Sequence, residues 1–503
     1  MLPLYSQRKD FLVSFKRIVA YNTVAQVGGK FFSMLISVFL TILLTRYLGV
    51  VGYGNYNLAI TFVGFFLVLA DFGLYPIALR EMAQSPKESK KILGNAFIFR
   101  LFTSLLALLI AFLVGFLFPY PQIVKLAIGI VALNGLWSLL MNIITTVFQL
   151  NYRLDIPTFV EIFFKALGLF GVWLAIYFKF NLLGVFWIMA LVSLGNALIL
   201  FLFSRRFLKF LPQFNLIFLF PFLKEVLPMG VVAILSSIHF KIDTIILSLL
   251  KSSYEVGIYG VAYRVFENLI FIPAVFTGLL FPKFSQLCQD PASLRAIFQK
   301  TINVLILAIF PIFFSFFFLA PQIAQVLGGR DFIFASSPFR ILLLALIPIF
   351  FICPFQQILI ATGKQKLLIW VIGGATVLNL LSNILLIKYF SYNGAAVATF
   401  ISELALVLSM GFLSAKVINI FPNFQLIKQI VLPIIIASIV AGFVIFFIPY
   451  IAFSSFSKLT FALQVVVTGT ALIISLGIFG GTLMLFKVIP RSLIQEIISR
   501  KSK

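Results

Sequence analysis

Long, uninterrupted apolar runs constrain this chain more than any other feature. Of its 503 residues, 62% are hydrophobic and only 10% are charged, and the mean hydropathy is +1.15. A water-soluble chain of this composition would aggregate, so we infer that its solvent is lipid. A membrane-spanning helix needs roughly 20 apolar residues, which gives a chain of this length room for about 12 to 15 helices. Because the runs are continuous rather than alternating, they exclude an outer-membrane barrel and predict an all-α polytopic membrane protein.

The boundaries of the runs predict fourteen transmembrane helices, six in each half and two at the C-terminal end. The first half holds 18–44, 53–75, 94–118, 121–149, 157–178 and 181–203. The second half holds 226–250, 256–282, 298–320, 334–360, 366–389 and 393–414, and the last two helices lie near 426–449 and 459–486. The predicted organisation is an N-terminal segment 1–17, a first bundle 18–210, a second bundle 211–420, two extra helices 421–486 and a tail 487–503.

The net charge of +24 comes from basic residues concentrated in alternate loops. The positive-inside rule therefore predicts a plasma-membrane protein with both termini in the cytoplasm. Topology and attraction to anionic membrane lipids account for the charge, so we expect no nucleic-acid binding. No cleavable signal peptide is expected, because the basic N-terminal segment runs into an apolar segment too long for an h-region. The connector at 78–93, rich in basic and acidic residues, is expected to lie against lipid headgroups.

A turn rich in glycine and tyrosine between the first two predicted helices recurs in the second half. The first copy is TRYLGVVGYGNYNLA at 45–59, and its G-x-Y-x-x-A at 54–59 returns as GIYGVA at 257–262. The glycines allow a tight reversal, and the tyrosine rings suit a membrane–water boundary. An even number of helices separates the copies, so the halves share one orientation and predict a parallel repeat.

Several short motifs in both halves carry a family resemblance. Those of the first half are Arg46-Tyr-Leu-Gly49, Gly52-Tyr-Gly54-x-Tyr56, Asp71-Phe-Gly73-Leu74 and Arg80-Glu81-Met-Ala83. Those of the second half are Asp243, Val256-Gly257-x-Tyr259, Pro273, Phe281-Pro282 and Ala361-Thr-Gly363-Lys364. Together they resemble the signature of polysaccharide biosynthesis membrane proteins, the lipid-linked oligosaccharide flippases of the multidrug/oligosaccharidyl-lipid/polysaccharide exporter superfamily.

The resemblance implies two six-helix bundles around a central cavity, with two extra helices. It also implies a task, which is to move an undecaprenyl-diphosphate-linked oligosaccharide from the inner to the outer leaflet by alternating access, for O-antigen, exopolysaccharide or capsule synthesis. The expected partners are the lipid-linked oligosaccharide diphosphate, anionic membrane lipids, a coupling H⁺ or Na⁺ and a glycan polymerase. Two cysteines and one histidine give no disulfide or metal framework, and no metal or cofactor is expected.

Ionisable residues at membrane depth are costly unless they face a cavity or a partner, so they are the candidates for function. Lys30 lies near the middle of the first helix. Spacings of three and four place it on one face with other polar residues, namely Asn22, Gln26, Ser33, Ser37 and Thr41. This face is predicted to line a wet cavity, and the alternative is a structural polar seam between helices.

The seventh helix repeats this pattern. Ser237, Lys241, Thr244 and Ser248 form one stripe, and Ser236, His239 and Asp243 lie beside it. Lys241 and Asp243 are two residues apart and are not expected to pair with each other. Histidine is a common proton carrier in proteins, so His239 could relay protons, although a lone histidine in a polar seam is commonly structural.

Two pairs of oppositely charged residues have two interpretations: they line the cavity, or they neutralise each other as ion pairs. Glu161 and Lys165 are four apart in the fifth helix, and Arg264 and Glu267 are three apart in the eighth. Asp71 lies near the cytoplasmic end of the second helix, where it is either a gating partner or an ordinary interfacial aspartate.

The candidate site is a mixed cavity with an excess of cations, which suits a diphosphate better than a drug cation. Its predicted substrate-binding cations are Lys30, Arg100, Lys165, Lys241, Arg264 and Arg340. Its predicted coupling or gating residues are Asp71, Glu161, His239, Asp243, Glu267 and Glu403.

Three alternatives to the oligosaccharide flippase follow from the same residues. A cation-coupled multidrug exporter and a peptidoglycan lipid-precursor flippase belong to the same superfamily. A membrane-embedded glycosyltransferase is a remote third, because the loops on the predicted exterior are short and offer almost no acid/base residues. The sequence has no G-x-x-x-x-G-K-[ST] motif, so ATP is not expected to be the direct energy source. We therefore expect a secondary transporter rather than an enzyme.

Overall fold

The fold is described from a computed structural model over residues 3–71, 73–419, 434–439, 441–442 and 459–485. Within these residues every regular element is helical and none is a strand. Ten stretches of the described chain are long and apolar enough to cross a membrane. The all-α polytopic fold class is therefore confirmed. Most of the predicted thirteenth helix and the predicted tail 487–503 lie outside the described residues.

The helices follow the predicted order. The first six are α1 Pro3–Asp71, α2 Leu74–Gln84, α3 Ser89–Leu117, α4 Gln122–Leu150, α5 Asp155–Tyr177 and α6 Leu182–Ser204. The next six are α7 Leu216–Leu250, α8 Ser253–Leu287, α9 Pro291–Phe318, α10 Ala320–Gly328, α11 Ser336–Ala361 and α12 Gln365–Leu413. Short helical turns occur at Pro86–Glu88, Arg330–Ala335 and Ser414–Ile418, and the last described helix is Phe461–Leu485.

Two of the predicted loops are single-residue kinks. The loop expected at 45–52 is replaced by a kink at Gly49, whose φ of 66° and ψ of −176° turn the chain within one residue. Glycine adopts this conformation without the penalty that a Cβ would bring. The loop expected after 389 is likewise a kink at Ser391, with φ 53°. Each kink divides one long helix into two spans, so α1 and α12 each account for two predicted helices.

The connector expected to lie against lipid headgroups packs one face of its first part against the protein. Its first part is α2, whose residues Ile77, Ala78 and Met82 are buried. They join a hydrophobic cluster that includes Leu93 of α3 and Phe148 of α4. Apolar residues recur every three or four positions along α2, so burial of that face fixes the helix on its neighbours. Arg80 on the same helix is exposed, so contact of this connector with lipid headgroups stays a prediction.

The chain divides into two compact units, Met1–Lys241 (unit 1) and Ile242–Lys503 (unit 2). The division falls within α7, whereas the sequence-based boundary lies at 210/211. In unit 1, α1 contacts α3, α4 and α5, and α4 and α6 pack together. In unit 2, α11 contacts α8, α9 and α12. Many large apolar side chains are exposed, such as Leu117 at 84% and Trp370 at 81%, as expected for a chain whose solvent is lipid.

Polar caps determine where several helices begin. Ser252 and Glu255 form a capping box at the start of α8, in which Glu255 Oε2 accepts a hydrogen bond from Ser252 N at 3.0 Å. Asn181 caps α6 by accepting from Gly184 N at 3.0 Å. Asp290 caps α9 by accepting from Ala292 N and Ser293 N at 3.1 and 3.2 Å. These side chains satisfy N–H groups that the first turn of a helix leaves unpaired.

Candidate functional site

Unit 1 contains a polar cavity of about 690 Å³. Its walls come from the first span of α1, the second half of α4, the first half of α5 and the end of α6, with Tyr75 of α2. The polar lining residues are Gln26, Lys30, Ser33, Tyr75, Asn134, Ser138, Asn142, Thr145, Gln149, Thr158, Glu161, Lys165, Ser193 and Asn196. The volume lies within the range of roughly 300–1,000 Å³ typical of ligand pockets.

One wall of this cavity is charged. Lys165 Nζ lies 2.7 Å from Glu161 Oε1 and donates a hydrogen bond to Ser33 Oγ at 2.8 Å. Ser33 Oγ lies 3.3 Å from the same carboxylate oxygen, and Lys30 acts electrostatically on Glu161. The Lys165 and Glu161 side chains are each 40% exposed, so the pair faces the cavity. Two cations share one anion here, and the charged wall has a net positive charge.

Close packing between α1 and α5 brings the residues of the charged wall together. A Cβ on Gly29 would stand 2.0 Å from Thr158 Cγ2, so only glycine allows the two helices to approach this closely. Near the ends of these helices, Asn22 Nδ2 donates to Tyr152 O at 2.6 Å, and Asn22 Oδ1 accepts from Asp155 N at 3.3 Å. These contacts fix α1 against the connection between α4 and α5, so Lys30 is held beside Glu161.

The polar face predicted on the first helix divides into two parts. Gln26, Lys30 and Ser33 line the cavity, so the prediction of a cavity-lining face is confirmed for them. Further along, Ser37 Oγ and Thr41 Oγ1 donate to backbone carbonyls one turn earlier, at 2.9 Å each. Such local hydrogen bonds satisfy hydroxyl groups without a ligand.

The second wall is uncharged and was missed by the search for ionisable residues. On α4 it consists of Asn134, Ser138, Asn142, Thr145 and Gln149. Their spacings of four, four, three and four residues repeat the helical period that identified the face of α1. Applying that periodicity to uncharged polar residues of α4 would have found them. We call this stripe, together with Ser193 and Asn196 of α6, the amide wall.

One group of the amide wall has clearly unused hydrogen-bonding capacity. Asn196 Oδ1 is buried and has no hydrogen-bond partner among the described residues. Asn134 is half-buried and Asn142 is exposed, and both line the cavity. Tyr75, in contrast, donates to Gln149 Oε1. Burial raises the pKa of Tyr75, so this phenol stays protonated and remains a donor. The wall therefore presents both fixed and unoccupied polar groups to the cavity.

Arg100 and Asp71 form a separate ion pair that does not line this cavity. Arg100 NH2 lies 2.6 Å from Asp71 Oδ1, and Arg100 NH1 donates to Ala70 O at 3.2 Å. The Arg100 side chain is fully buried and that of Asp71 is 28% exposed. The pair ties α3 to the end of α1. Asp71 therefore has its counterion on α3 and not at Arg80, which pairs with Glu81.

Unit 2 holds a buried carboxylate network. Asp243 of α7 is 1% exposed, accepts a hydrogen bond from Tyr259 Oη, and accepts another from Thr244 N at 2.6 Å. Tyr259 also hydrogen-bonds to Thr399 of α12. Tyr263, one turn along α8 from Tyr259, is within electrostatic range of Asp243, Glu267 and Glu403.

Amides of α12 continue this network. Asn379 Nδ2 donates to Ser402 Oγ at 3.0 Å, and Asn383 Nδ2 donates to Asn379 Oδ1 at 3.0 Å. Asn383 Oδ1 is a buried acceptor without a hydrogen-bond donor among the described residues. Glu403, at 1% exposure, follows Ser402 directly. The network thus collects oxygen acceptors from α7, α8 and both spans of α12.

The remaining predicted residues lie apart from the cavity. Arg264 pairs with Glu267 at 3.2 Å, and both are nearly half exposed. Arg340 lies one turn from the start of α11, and its Nε donates to Phe317 O at 3.0 Å. His239 is buried, and Lys241 is half-buried. Only Lys30, Glu161 and Lys165, of the twelve candidates, line the described cavity of unit 1.

Aromatic rings pack together in unit 1 beyond the Gly49 kink. Tyr53 and Tyr56, expected at a membrane surface, are buried at 3% and 9% exposure. Their rings stack at 5.7 Å, and Tyr56 stacks on Phe186 of α6 at 5.1 Å. Because the helix continues through the Gly49 kink, these rings fall on its packed face. Of the three tyrosines, Tyr47 is less buried and donates to Phe180 O at 2.8 Å.

Solved structures with the same fold are transporters. The Lipid II flippase MurJ in an inward closed conformation is 17% identical, with a TM-score of 0.71, and the match covers 92% of this chain and 99% of that one. An inward-facing multidrug resistance MATE family transporter of the MOP superfamily is 13% identical, with a TM-score of 0.63 and coverage of 77% and 94%. A MOP superfamily transporter from Pyrococcus furiosus is 14% identical, with a TM-score of 0.58 and coverage of 80% and 96%.

Sequence profiles determine the family. No curated protein matches the sequence. The MatE profile matches residues 228–385. The profile described as "Polysaccharide biosynthesis protein" matches residues 19–288, which is more than half of the chain. This match shows that the chain belongs to the polysaccharide biosynthesis protein family, and its fold is that of the transporters above.

Proposed function

We propose that this protein is a flippase that moves a polyprenyl-diphosphate-linked oligosaccharide from the inner to the outer leaflet of the plasma membrane. The observation that carries the proposal is the charged wall of the unit 1 cavity. Two lysines and one glutamate give it a net positive charge, and the charged groups reach the cavity. A diphosphate offers several oxygens to such cations, which bind phosphate as point charges.

The position of the cavity supports loading from the inner leaflet. Its lining residues belong to the helix halves that adjoin the α4–α5 connection and the end of α6. The charge bias of the loops predicts that these connections are cytoplasmic. A headgroup made in the cytoplasm would then enter unit 1 from the side on which it is made.

The buried network of unit 2 supports coupling to an ion gradient. Asp243 and Glu403 are buried carboxylates, and Asn383 Oδ1 is a further buried acceptor. Buried carboxylates within membrane spans are costly, and they mark proton and ion pathways. Binding of H⁺ or Na⁺ would neutralise this charge and bias unit 2 between two arrangements. We therefore assign the excess cations of unit 1 to substrate binding and the acidic groups of unit 2 to binding of the driving ion.

Flipping in liposomes tests the proposal directly. Purified protein is reconstituted with a fluorescent polyprenyl-diphosphate glycan, and arrival of the headgroup in the opposite leaflet is measured with and without H⁺ or Na⁺ gradients. The double variant Lys30→Gln, Lys165→Gln should reduce flipping at least tenfold, because two charged contacts with phosphate are lost. Lys125→Gln is the matched control, since Lys125 lies outside the cavity and bonds to Phe116 O at 3.1 Å.

Three further arms separate the alternatives. An amphipathic drug cation should not compete, because the cavity cations repel it. A peptidoglycan lipid precursor shares the diphosphate, so its relative rate decides between a general and a dedicated oligosaccharide flippase. Analysis of the recovered lipid should find the glycan unchanged, whereas an extended glycan would indicate a glycosyltransferase. Undiminished flipping by the lysine double variant would overturn the assignment of the charged wall.

A further inference from the structure

We infer that the amide wall of the unit 1 cavity binds the carbohydrate next to the diphosphate and determines which sugar is transported. This inference rests on the proposed function and deepens it. The charged wall accounts for a diphosphate, but it does not account for the uncharged polar groups on α4 and α6. Those groups form the second half of the same cavity.

The chemistry of the amide wall matches a sugar. Carbohydrate hydroxyls both donate and accept hydrogen bonds, and so do the amides and hydroxyls of this wall. Asn134, Ser138 and Asn142 occupy successive turns of α4, which produces a continuous polar strip along the cavity. The strip carries no charge, so it would contribute little to phosphate binding.

An unpaired buried oxygen indicates that a ligand completes this wall. Asn196 Oδ1 is buried and meets no hydrogen-bond donor among the residues that the structure describes, and Asn134 and Asn142 line the same cavity. A buried amide oxygen such as Asn196 Oδ1 is unfavourable unless a donor reaches it. A sugar hydroxyl would supply that donor, and an amide N–H group would return a hydrogen bond.

Fixed groups beside these amides would give the site its selectivity. Tyr75 and Gln149 are held by their mutual hydrogen bond. They therefore limit the space in which a ring can lie. A site built to hydrogen-bond a hydroxyl discriminates strongly against a ligand that lacks it, because its own polar groups are then left unpaired. We therefore expect Asn142 and Asn196 to determine sugar preference rather than overall transport.

A ratio measurement tests this inference. The probes are one short polyprenyl diphosphate, either bare or carrying glucose or N-acetylglucosamine, flipped together by a single preparation of reconstituted full-length protein. The measured quantity is the flipping rate of a sugar-bearing probe divided by that of the bare probe. This ratio is independent of the folded fraction, so it can be measured even for a variant that folds poorly. The wild type should flip at least one sugar-bearing probe faster than the bare lipid. Asn142→Leu and Asn196→Leu should each reduce this ratio by about tenfold, the effect of losing one or two hydrogen bonds.

The control is another buried amide in unit 1. Asn55 also has a buried Oδ1 without a partner among the described residues, but it does not line the cavity. Asn55→Leu should leave the ratio unchanged. An equal loss for bare and sugar-bearing lipids in the cavity variants, or an unchanged ratio, would overturn the inference while the proposed function stands. If no diphosphate lipid is flipped by the wild type, the proposed function fails and the inference fails with it.

Discussion

The cavity of unit 1 and the carboxylate network of unit 2 use polar residues in opposite ways. In unit 1, Lys165 and Glu161 are 40% exposed to a space of about 690 Å³. In unit 2, Asp243 and Glu403 are 1% exposed, and Asp243 accepts a hydrogen bond from Tyr259. The first arrangement has room for a large polar group, whereas the buried carboxylates of the second suit a small cation.

This contrast shows how two halves with related motifs can take different tasks. Both copies of the G-x-Y-x-x-A motif adjoin a chain reversal, and Tyr56 and Tyr259 are both buried. Tyr56 stacks on Phe186, whereas Tyr259 donates to Asp243. The tyrosine of the shared motif thus packs on an aromatic ring in unit 1 and joins a polar network in unit 2. Two units that share a motif can therefore carry different polar side chains on the helix faces around it.

The largest expected effect comes from neutralising the buried carboxylate of unit 2. Asp243→Asn keeps the shape of the side chain and removes its charge. Ion-driven flipping should fall to the rate seen without a gradient, because no charge remains for the driving ion to neutralise. Binding of a diphosphate lipid should stay within about twofold, since Asp243 lies outside the unit 1 cavity. Liposome assays with imposed H⁺ or Na⁺ gradients measure the flipping rate, and calorimetric titration measures binding of the diphosphate lipid.

A carboxylate outside the network serves as the control for this variant. Asp331 is exposed in the short helical turn before α11. Asp331→Asn should retain full stimulation by the gradient. If Asp243→Asn retains it too, unit 2 does not couple transport through this residue.

The next effect separates stability from transport in unit 1. Arg100→Ala removes the buried guanidinium and leaves Asp71 without its counterion. Breaking a buried pair in this way typically costs about 3–5 kcal/mol, so the melting temperature in detergent should fall by several degrees. Arg80→Ala, which breaks the exposed pair with Glu81, should change the stability by at most about 1 kcal/mol. Equal melting temperatures for the two variants would show that Arg100 is not a structural anchor.

A smaller effect concerns the anion of the charged wall. Glu161→Gln leaves Lys30 and Lys165 without their shared carboxylate, so a diphosphate lipid should bind up to about fivefold more tightly. The expected change in affinity is small because a half-exposed ion pair contributes about 1 kcal/mol or less. The control is Glu267→Gln, whose carboxylate is similarly exposed and pairs with Arg264 in unit 2. Weaker binding after Glu161→Gln would mean that Glu161 contacts the substrate favourably.

The smallest effect provides a baseline for pH experiments on coupling. Hydrogen bonds from Ser293, and then from Ala292, lower the pKa of Asp290 at the start of α9. A lowered pKa stabilises the fold above the unfolded pKa, and this contribution is lost as pH falls through the folded value. Thermal unfolding should therefore show a small advantage of wild type over Asp290→Asn at neutral pH that disappears in acid. Asparagine also caps helices, so a large difference at any pH would contradict this assignment.

The fold was largely predictable because its signals are local. Long apolar runs gave helix positions to within several residues in most cases, and the Gly49 region was correctly expected to reverse the chain. The sequence did not predict that helical hydrogen bonding would continue through Gly49 and Ser391, since one unusual φ angle can replace a whole loop. It also did not separate α2 from its neighbours, because burial of its apolar face depends on α3 and α4.

The candidate site was predictable only in part. Periodicity found the face of α1, and spacing indicated the Glu161–Lys165 pair, because both are properties of single helices. The Arg100–Asp71 pair joins two helices and has no local signature. The amide wall of α4 was missed for a different reason, since attention to charge alone overlooks uncharged polar stripes. Roles in binding and coupling stay predictions for all twelve candidates.

Substrate binding in paired variants tests most directly the claim that unit 1 binds the headgroup while unit 2 responds to the ion. Calorimetry would measure the affinity for a bare short-chain polyprenyl diphosphate in wild type, in the Lys30→Gln, Lys165→Gln double variant and in Asp243→Asn. The account predicts at least about 30-fold weaker binding for the lysine variant, from two lost charge-assisted contacts, and an unchanged affinity for Asp243→Asn. Unchanged binding by the lysine variant, or a comparable loss in Asp243→Asn, would contradict it.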